Sequence, residues 1–154
     1  MTAVPELVTL DPVVTAAVRA TVPLSGLRDF FDASFGALGG AVAAQRLDIK
    51  GPAFGLYRGA GGDPLDVEVG FAVGGPVEPT GAVIASSLPG GRVARVIHFG
   101  GFDGLTSSWT ELQAWIESQG LVPAAHRWEV YITQPSPDMN PDDLRTELNW
   151  PIVD

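Results

Sequence analysis

An acid and a phenol two residues apart, Glu129 and Tyr131, sit in a run that alternates as a strand does, His126 to Gln134 (HRWEVYITQ). Successive strand side chains point to opposite faces, so these two share one face, while Trp128, Val130 and Ile132 take the other and are expected to pack on helices. Tyr57 has the same place in Ala53 to Arg58 (AFGLYR), where Phe54 and Leu56 point inward, so both tyrosines of the chain land on one face. Two later runs supply further acids. Val67, Val69, Phe71 and Val73 form an apolar row with Glu68, Gly70 and Ala72 on the opposite side. Thr146, Leu148, Trp150 and Ile152 form a second row, with Glu147 and Asn149 opposite. Arg19 and His98 join the polar face from earlier strands. Such a face offers recognition chemistry: apolar and aromatic walls with a few placed polar groups suit a concave binding surface. The plainer reading, a sheet face that meets water, carries more weight for Glu68 and Glu147.

The remaining constellations point away from metal, thiol or phosphate chemistry. Cysteine is absent, and the two histidines, His98 and His126, have no Asp/Glu neighbours at metal-ligand spacing, so no metal and no cofactor is expected. Gly59 to Gly62 and Gly100 to Gly104 lack the Lys-Ser/Thr of a phosphate loop and read as turns. Ser25, Ser107 and Ser108 stand near helix starts, where capping accounts for them. Asp138 to Asp143 has the composition of a calcium loop without its spacing.

Positioning these residues takes a repeated unit. Val13 to Thr21 reads as a strand, and Gly26 to Val42 puts Leu27, Phe30, Phe31, Phe35, Leu38 and Val42 on one helical stripe; strands at 53–58 and 65–73 follow. The order then recurs: a strand over Arg92 to Phe99, a helix with Leu105, Trp109, Leu112 and Ile116 on one side and Gly120 as its stop, and strands over 126–134 and 144–152. Superposed, Val18 falls on Ile97, Phe31 on Trp109, Tyr57 on Tyr131 and Glu68 on Glu147. Glu6 to Leu10 and Ala82 to Leu88 are expected to add a strand before each unit, and Gly59 to Asp63 and Ser136 to Asp143 to form hairpin loops. The fold class is therefore α+β: a tandem strand-helix-strand-strand duplication within one domain (1–154, repeats at about 4–75 and 81–153), an antiparallel sheet with two helices on one face and a ligand groove on the other.

The second repeat resembles a known family. VIHFGGFDGL, a helix carrying Trp109 and Trp115, WEVYIT and PDDLRTELNWPI together resemble the GyrI-like domain, the effector-binding domain of AraC-type and MerR-type transcription activators, itself an SHS2-type tandem duplication. The resemblance covers essentially the whole chain. It implies a groove between the two repeats that takes bulky hydrophobic compounds, with Glu129 as the key residue. A carboxylate partly removed from water admits a ligand that brings positive charge or hydrogen-bond donors. Tyr57 and Tyr131 add aromatic contact. Phe102 stands where many relatives carry a tyrosine and lacks its hydroxyl. Strand alternation and the resemblance together give the expected ligand-binding set: Glu129, Tyr131, Tyr57, Phe102, Glu68, Glu147, Asn149, His98 and Arg19.

The function expected is binding of a lipophilic, cationic small molecule, for sequestration or sensing of the multidrug-resistance type, with any protein partner unidentified. One alternative is hydrolysis of an electrophilic small molecule, with Glu129 as general base toward a water and Tyr131 or Tyr57 as proton donor to the departing oxygen. Another is a protein-interaction role such as gyrase inhibition. With 18 acidic against 9 basic residues, a net charge of −9, phosphate backbones and anionic membranes are repelled, so no direct nucleic-acid partner is expected. No helix-turn-helix segment is expected ahead of the module. The lack of a signal-like start and of a long apolar run points to a cytoplasmic protein without membrane association.

Overall fold

The periodic runs form the elements their spacing predicts. The computed structural model describes residues 4–58, 64–133 and 138–153. Its elements are β1 (Glu6–Leu10), β2 (Val13–Val22), α1 (Leu27–Gln45), β3 (Asp48–Arg58), β4 (Leu65–Gly74), β5 (Ile84–Leu88), β6 (Gly91–Phe99), α2 (Leu105–Ser118), β7 (Val122–Pro123), β8 (His126–Tyr131) and β9 (Arg145–Val153). The architecture is α+β with antiparallel pairing throughout the registers below. The hairpin loop expected at 59–63 lies outside the described residues, and of the one expected at 136–143 only 138–143 is described.

The chain divides into two compact units. An N-terminal unit comprises Asp11–Gly90, and a C-terminal unit joins Met1–Leu10 to Gly91–Asp154. In the first, the strand order is β3-β4-β2-β5; in the second it is β8-β9-β6-β1, with β7 also on β9. The two orders are the same topology. The added strands do form, yet each completes the sheet of the other repeat: β1 pairs with β6, and β5 pairs with β2.

Register fixes the correspondence between the units. Val69 opposes Val18 and Gly55, while Leu148 opposes Val96 and Glu129. Val18 therefore matches Val96, one residue from the expected Ile97. Both candidates are apolar, so alternation alone could not phase that strand. Tyr57 with Tyr131 and Glu68 with Glu147 stand as expected: Tyr57 opposes Val67 as Tyr131 opposes Thr146, and Leu56 opposes Glu68 as Val130 opposes Glu147.

Each helix buries its stripe on one face of its own sheet. Leu38 and Ala41 of α1 pack with Val18, Val67, Val69 and Val73, and Leu112 and Ile116 of α2 with Val96, Leu148, Trp150 and Ile152. Fully burying each such side chain contributes about 1.5–3 kcal/mol. An edge-on aromatic pair joins helix to sheet in each, Phe35–Phe71 and Trp109–Trp150, both with centroids 5.5 Å apart; Phe71 and Trp150 hold matching strand places, while their helix partners differ by one turn. Gly120, at φ 73°, stops α2, with the Gly120 and Leu121 amides donating to Glu117 and Ile116. The equivalent stop of α1 is Arg46, at φ 53°. Neither helix start has a side-chain cap: Gly26 and Gly104 hold those positions behind 3-10 turns at Leu24–Gly26 and Phe102–Gly104, so Ser25 lies inside a turn and caps nothing. Among the described residues no helix is long and apolar enough to cross a membrane.

Candidate functional site

Directly opposed residues of an antiparallel pair point to the same side, so the registers sort every candidate by face. In the C-terminal unit, Ala94, Val96 and His98 of β6, Thr146, Leu148 and Trp150 of β9, and Glu129 and Tyr131 of β8 share the face that α2 covers. Trp128 and Val130 share the other face with Asn149 and Glu147. This reverses the phase expected for the inner strands, and the N-terminal unit does the same: Tyr57 packs with the α1 core, while Phe54 and Leu56 lie with Gly70 and Glu68. The reason is that Phe54, Leu56 and Trp128, on the face the helices leave, are nevertheless at most 2% exposed. A strand with bulky apolar residues on both sides has no polar alternation to phase it.

Around Glu129 two other expected residues, Tyr131 and Phe102, come together. Its carboxylate, in a residue only 4% exposed, accepts a hydrogen bond from the Tyr131 hydroxyl at 3.5 Å. The Tyr131 ring meets Phe102 edge-on at 6.0 Å and 72°. Phe102 begins the 3-10 turn before α2 and is 42% exposed, an unusual state for a phenyl ring.

His98 fixes that turn from beneath. It was expected on the polar face, but lies on the helix face at 2% exposure, with Nδ1 2.6 Å from Ser108 Oγ and Nε2 2.8 Å from the Gly101 carbonyl. A carbonyl only accepts, so in the neutral ring Nε2–H donates to Gly101 and the Ser108 hydroxyl donates to Nδ1. Ser108 is thus a buried anchor within α2 rather than a cap. A Cβ added to Gly104 would stand 3.0 Å from His98 Cε1, so glycine lets the turn close on the imidazole.

One step along the same face, the Arg127 guanidinium lies over Trp109 at 4.8 Å and over Trp150 at 4.9 Å. Cation–π contacts of this kind contribute about 0.5–2 kcal/mol. They show that the aromatic side chains here can hold a positive group. Sequence reasoning missed Arg127 because the ring contact depends on packing across the helix.

The other expected residues are elsewhere. Glu147 and Asn149 lie on the second face of the same sheet, where Arg95 reaches Glu147 Oε1 at 3.2 Å and donates to Asn149 Oδ1 at 2.8 Å; Asn149 in turn donates to Glu147 at 3.0 Å. Arg19 and Glu68 lie on the second face of the N-terminal unit. Glu68, expected to meet water, is 1% exposed, with Arg58 Nη1 at 3.1 Å and the Ser86 hydroxyl donating at 2.8 Å. Arg19 pairs with Asp66 at 2.8 Å, which holds the Asp66 carboxyl below and the guanidinium above their ordinary ranges. Each of these acids has a guanidinium counterion, which offsets the charge it would otherwise present to a ligand. Tyr57, also of the N-terminal unit, packs against the α1 core. No cluster of three metal-ligating side chains exists among the described residues.

The chain matches the sequence profile of the GyrI-like small molecule binding domain over residues 3–153. None of the curated protein sequences matches it. Among solved structures it is similar to the EcmrR C-terminal domain, with a TM-score of 0.84 and 22% identity over 97% of this chain and 96% of that one. In a cryo-EM structure of an EcmrR–DNA complex the match has a TM-score of 0.83 and 22% identity and covers 96% of this chain but 56% of that one. This chain thus spans little more than half of that EcmrR chain. SAV2435 bound to tetraphenylphosphonium is similar at a TM-score of 0.66 and 13% identity, over 98% and 94% of the two chains. A hydrolase from Listeria innocua is similar at 0.69 and 15% identity, over 97% and 91%. At these identities the likeness shows the fold. Because EcmrR carries this fold in a DNA complex, the expected absence of a nucleic-acid partner rests on net charge alone.

Proposed function

The chain belongs to the GyrI-like small-molecule-binding domain family, and from that premise we propose that it binds a lipophilic organic cation, with Glu129 as the charge-selecting residue. The observation that carries this reading is a carboxylate at 4% exposure, hydrogen-bonded by Tyr131, with Phe102 on the Tyr131 ring. A carboxylate so far from water gains more from a ligand cation than a solvated one would, because the interaction is weakly screened. Aromatic rings present negative faces to the same cation and remove its apolar groups from water. The tetraphenylphosphonium in SAV2435, a protein of this fold, is a ligand of that chemical class. Sequestration or sensing is the role that such binding would serve, with no turnover required.

Titration of tetraphenylphosphonium into wild type and Glu129→Gln, followed by tryptophan fluorescence, tests the proposal. Wild type is expected to bind, and the variant to bind at least about tenfold more weakly, since it loses the weakly screened attraction between a buried carboxylate and a cation that offers no hydrogen-bond donor. Equal affinity of the two proteins would remove Glu129 from the role. Incubation with an ester-bearing lipophilic cation is expected to return the ester intact by mass spectrometry; hydrolysis that disappears in Glu129→Gln would establish turnover instead.

A further inference from the structure

We infer that Thr146 is a specificity-determining residue of the same site, and that its hydroxyl donates a hydrogen bond to an acceptor atom carried by the cationic ligand; the inference rests on the binding role proposed for Glu129. Thr146 stands in β9 directly between His98 of β6 and Tyr131 of β8, so the three side chains form one cross-strand row beneath the Phe102 turn. Cross-strand neighbours of this kind have Cβ atoms about 4.5–5.5 Å apart. Thr146 is 0% exposed, and its Oγ1 has no hydrogen-bond partner. Both nitrogens of His98 are engaged, by Ser108 and by the Gly101 carbonyl, and the Tyr131 hydroxyl donates to Glu129. The Thr146 O–H is the donor of this row that has found no acceptor.

Packing alone does not ask for that hydroxyl. The matching residue of the N-terminal unit is Val67, also 0% exposed, which opposes Ala20 and Tyr57 at the same register position. Valine and threonine have the same shape, so valine would fill the site in β9 equally well. A buried hydroxyl without a partner is unfavourable, and a partner arriving with the ligand removes that penalty. Glu129 already supplies the acceptor and the negative charge. The complementary ligand is therefore a lipophilic cation with an ether, carbonyl or aromatic-nitrogen acceptor near its charged centre.

Two triphenylphosphonium cations that differ in one atom, 2-methoxyethyl and n-butyl, provide the probe. Their dissociation constants are measured on wild type, Thr146→Val, Thr146→Ser and Glu129→Gln. The wild-type preference for the methoxyethyl cation, expressed against the butyl one, is expected to fall roughly three- to tenfold in Thr146→Val and to persist in Thr146→Ser. Butyl affinity is expected to fall less than methoxyethyl affinity in Thr146→Val, and thermal unfolding to show that variant at least as stable as wild type. If both cations bind in a Glu129-dependent way and the preference is the same in wild type and Thr146→Val, the inference about Thr146 is overturned while the binding role stands. If neither cation binds wild type, the binding role fails and the Thr146 inference falls with it.

Discussion

The N-terminal and C-terminal units share a topology and a register, and differ at the residues of the proposed site. Glu129 corresponds to Gly55, His98 to Ala20 and Thr146 to Val67, each pair opposing equivalent partners in its sheet. Tyr131 and Tyr57 correspond as well, yet Tyr57 closes an apolar α1 core and Tyr131 donates to a buried carboxylate. One copy of the repeat is packed as scaffold and the other carries polar groups on the same face, held by a histidine clamp. A duplicated fold thus supplies its own control: what the apolar copy does without is not needed for folding.

The second faces invert the comparison, and substitutions there should produce the largest effect. Gly70 and Asn149 correspond, but a Cβ on Gly70 would meet the Ala16 carbonyl oxygen at 2.1 Å, whereas Asn149 fits and bridges Arg95 and Glu147. Gly70→Ala is expected to destabilise by about 3 kcal/mol or more in urea unfolding, because the backbone must move to admit a methyl. Asn149→Ala should cost about 1–2 kcal/mol through its lost hydrogen bonds. Near-equal losses would break the distinction between the two faces.

Helix ends provide a smaller test. Gly120 and Arg46 adopt the same left-handed conformation after α2 and α1, but only arginine has a Cβ to be strained by it. Arg46→Gly is expected to stabilise the protein by about 0.5–1 kcal/mol, read as a raised unfolding midpoint. No gain would mean that Arg46 makes up the strain elsewhere.

The smallest effect belongs to the Arg19–Asp66 pair, whose counterparts are Ile97 and Arg145. Its guanidinium hydrogen bond depresses the Asp66 carboxyl in the folded state. The group's contribution is therefore present above the ordinary carboxylate pKa and lost as pH falls through the depressed folded value. Asp66→Asn should lower the neutral-pH midpoint by no more than about a degree, and the difference should vanish in acid. A difference that grows in acid would have the wrong sign for this pair.

The helices, most strands, the repeat and the apolar rows of β4 and β9 were legible in the sequence, because a half-buried element writes its period into its residues. The pairing of Tyr131 with Glu129 and the Gly120 stop were legible for the same local reasons. The face on which Tyr131 and Glu129 lie was not. Trp128 and Phe54 read as helix-facing, and only the hydrogen-bonded register against β9 and β4 placed them opposite.

By itself, the sequence determined what is local: element type, helix stops, the order of the repeat and the excess of acid, each set by neighbours a few residues apart. The tertiary structure decided what depends on parity and partners. It exchanged β1 and β5 between the repeats, neutralised Glu68 and Glu147 with Arg58 and Arg95, and brought His98, Thr146 and Tyr131 into one row. A one-residue change in strand pairing would turn every one of those side chains to the other face, and no local pattern in a strand buried on both sides records which pairing is made.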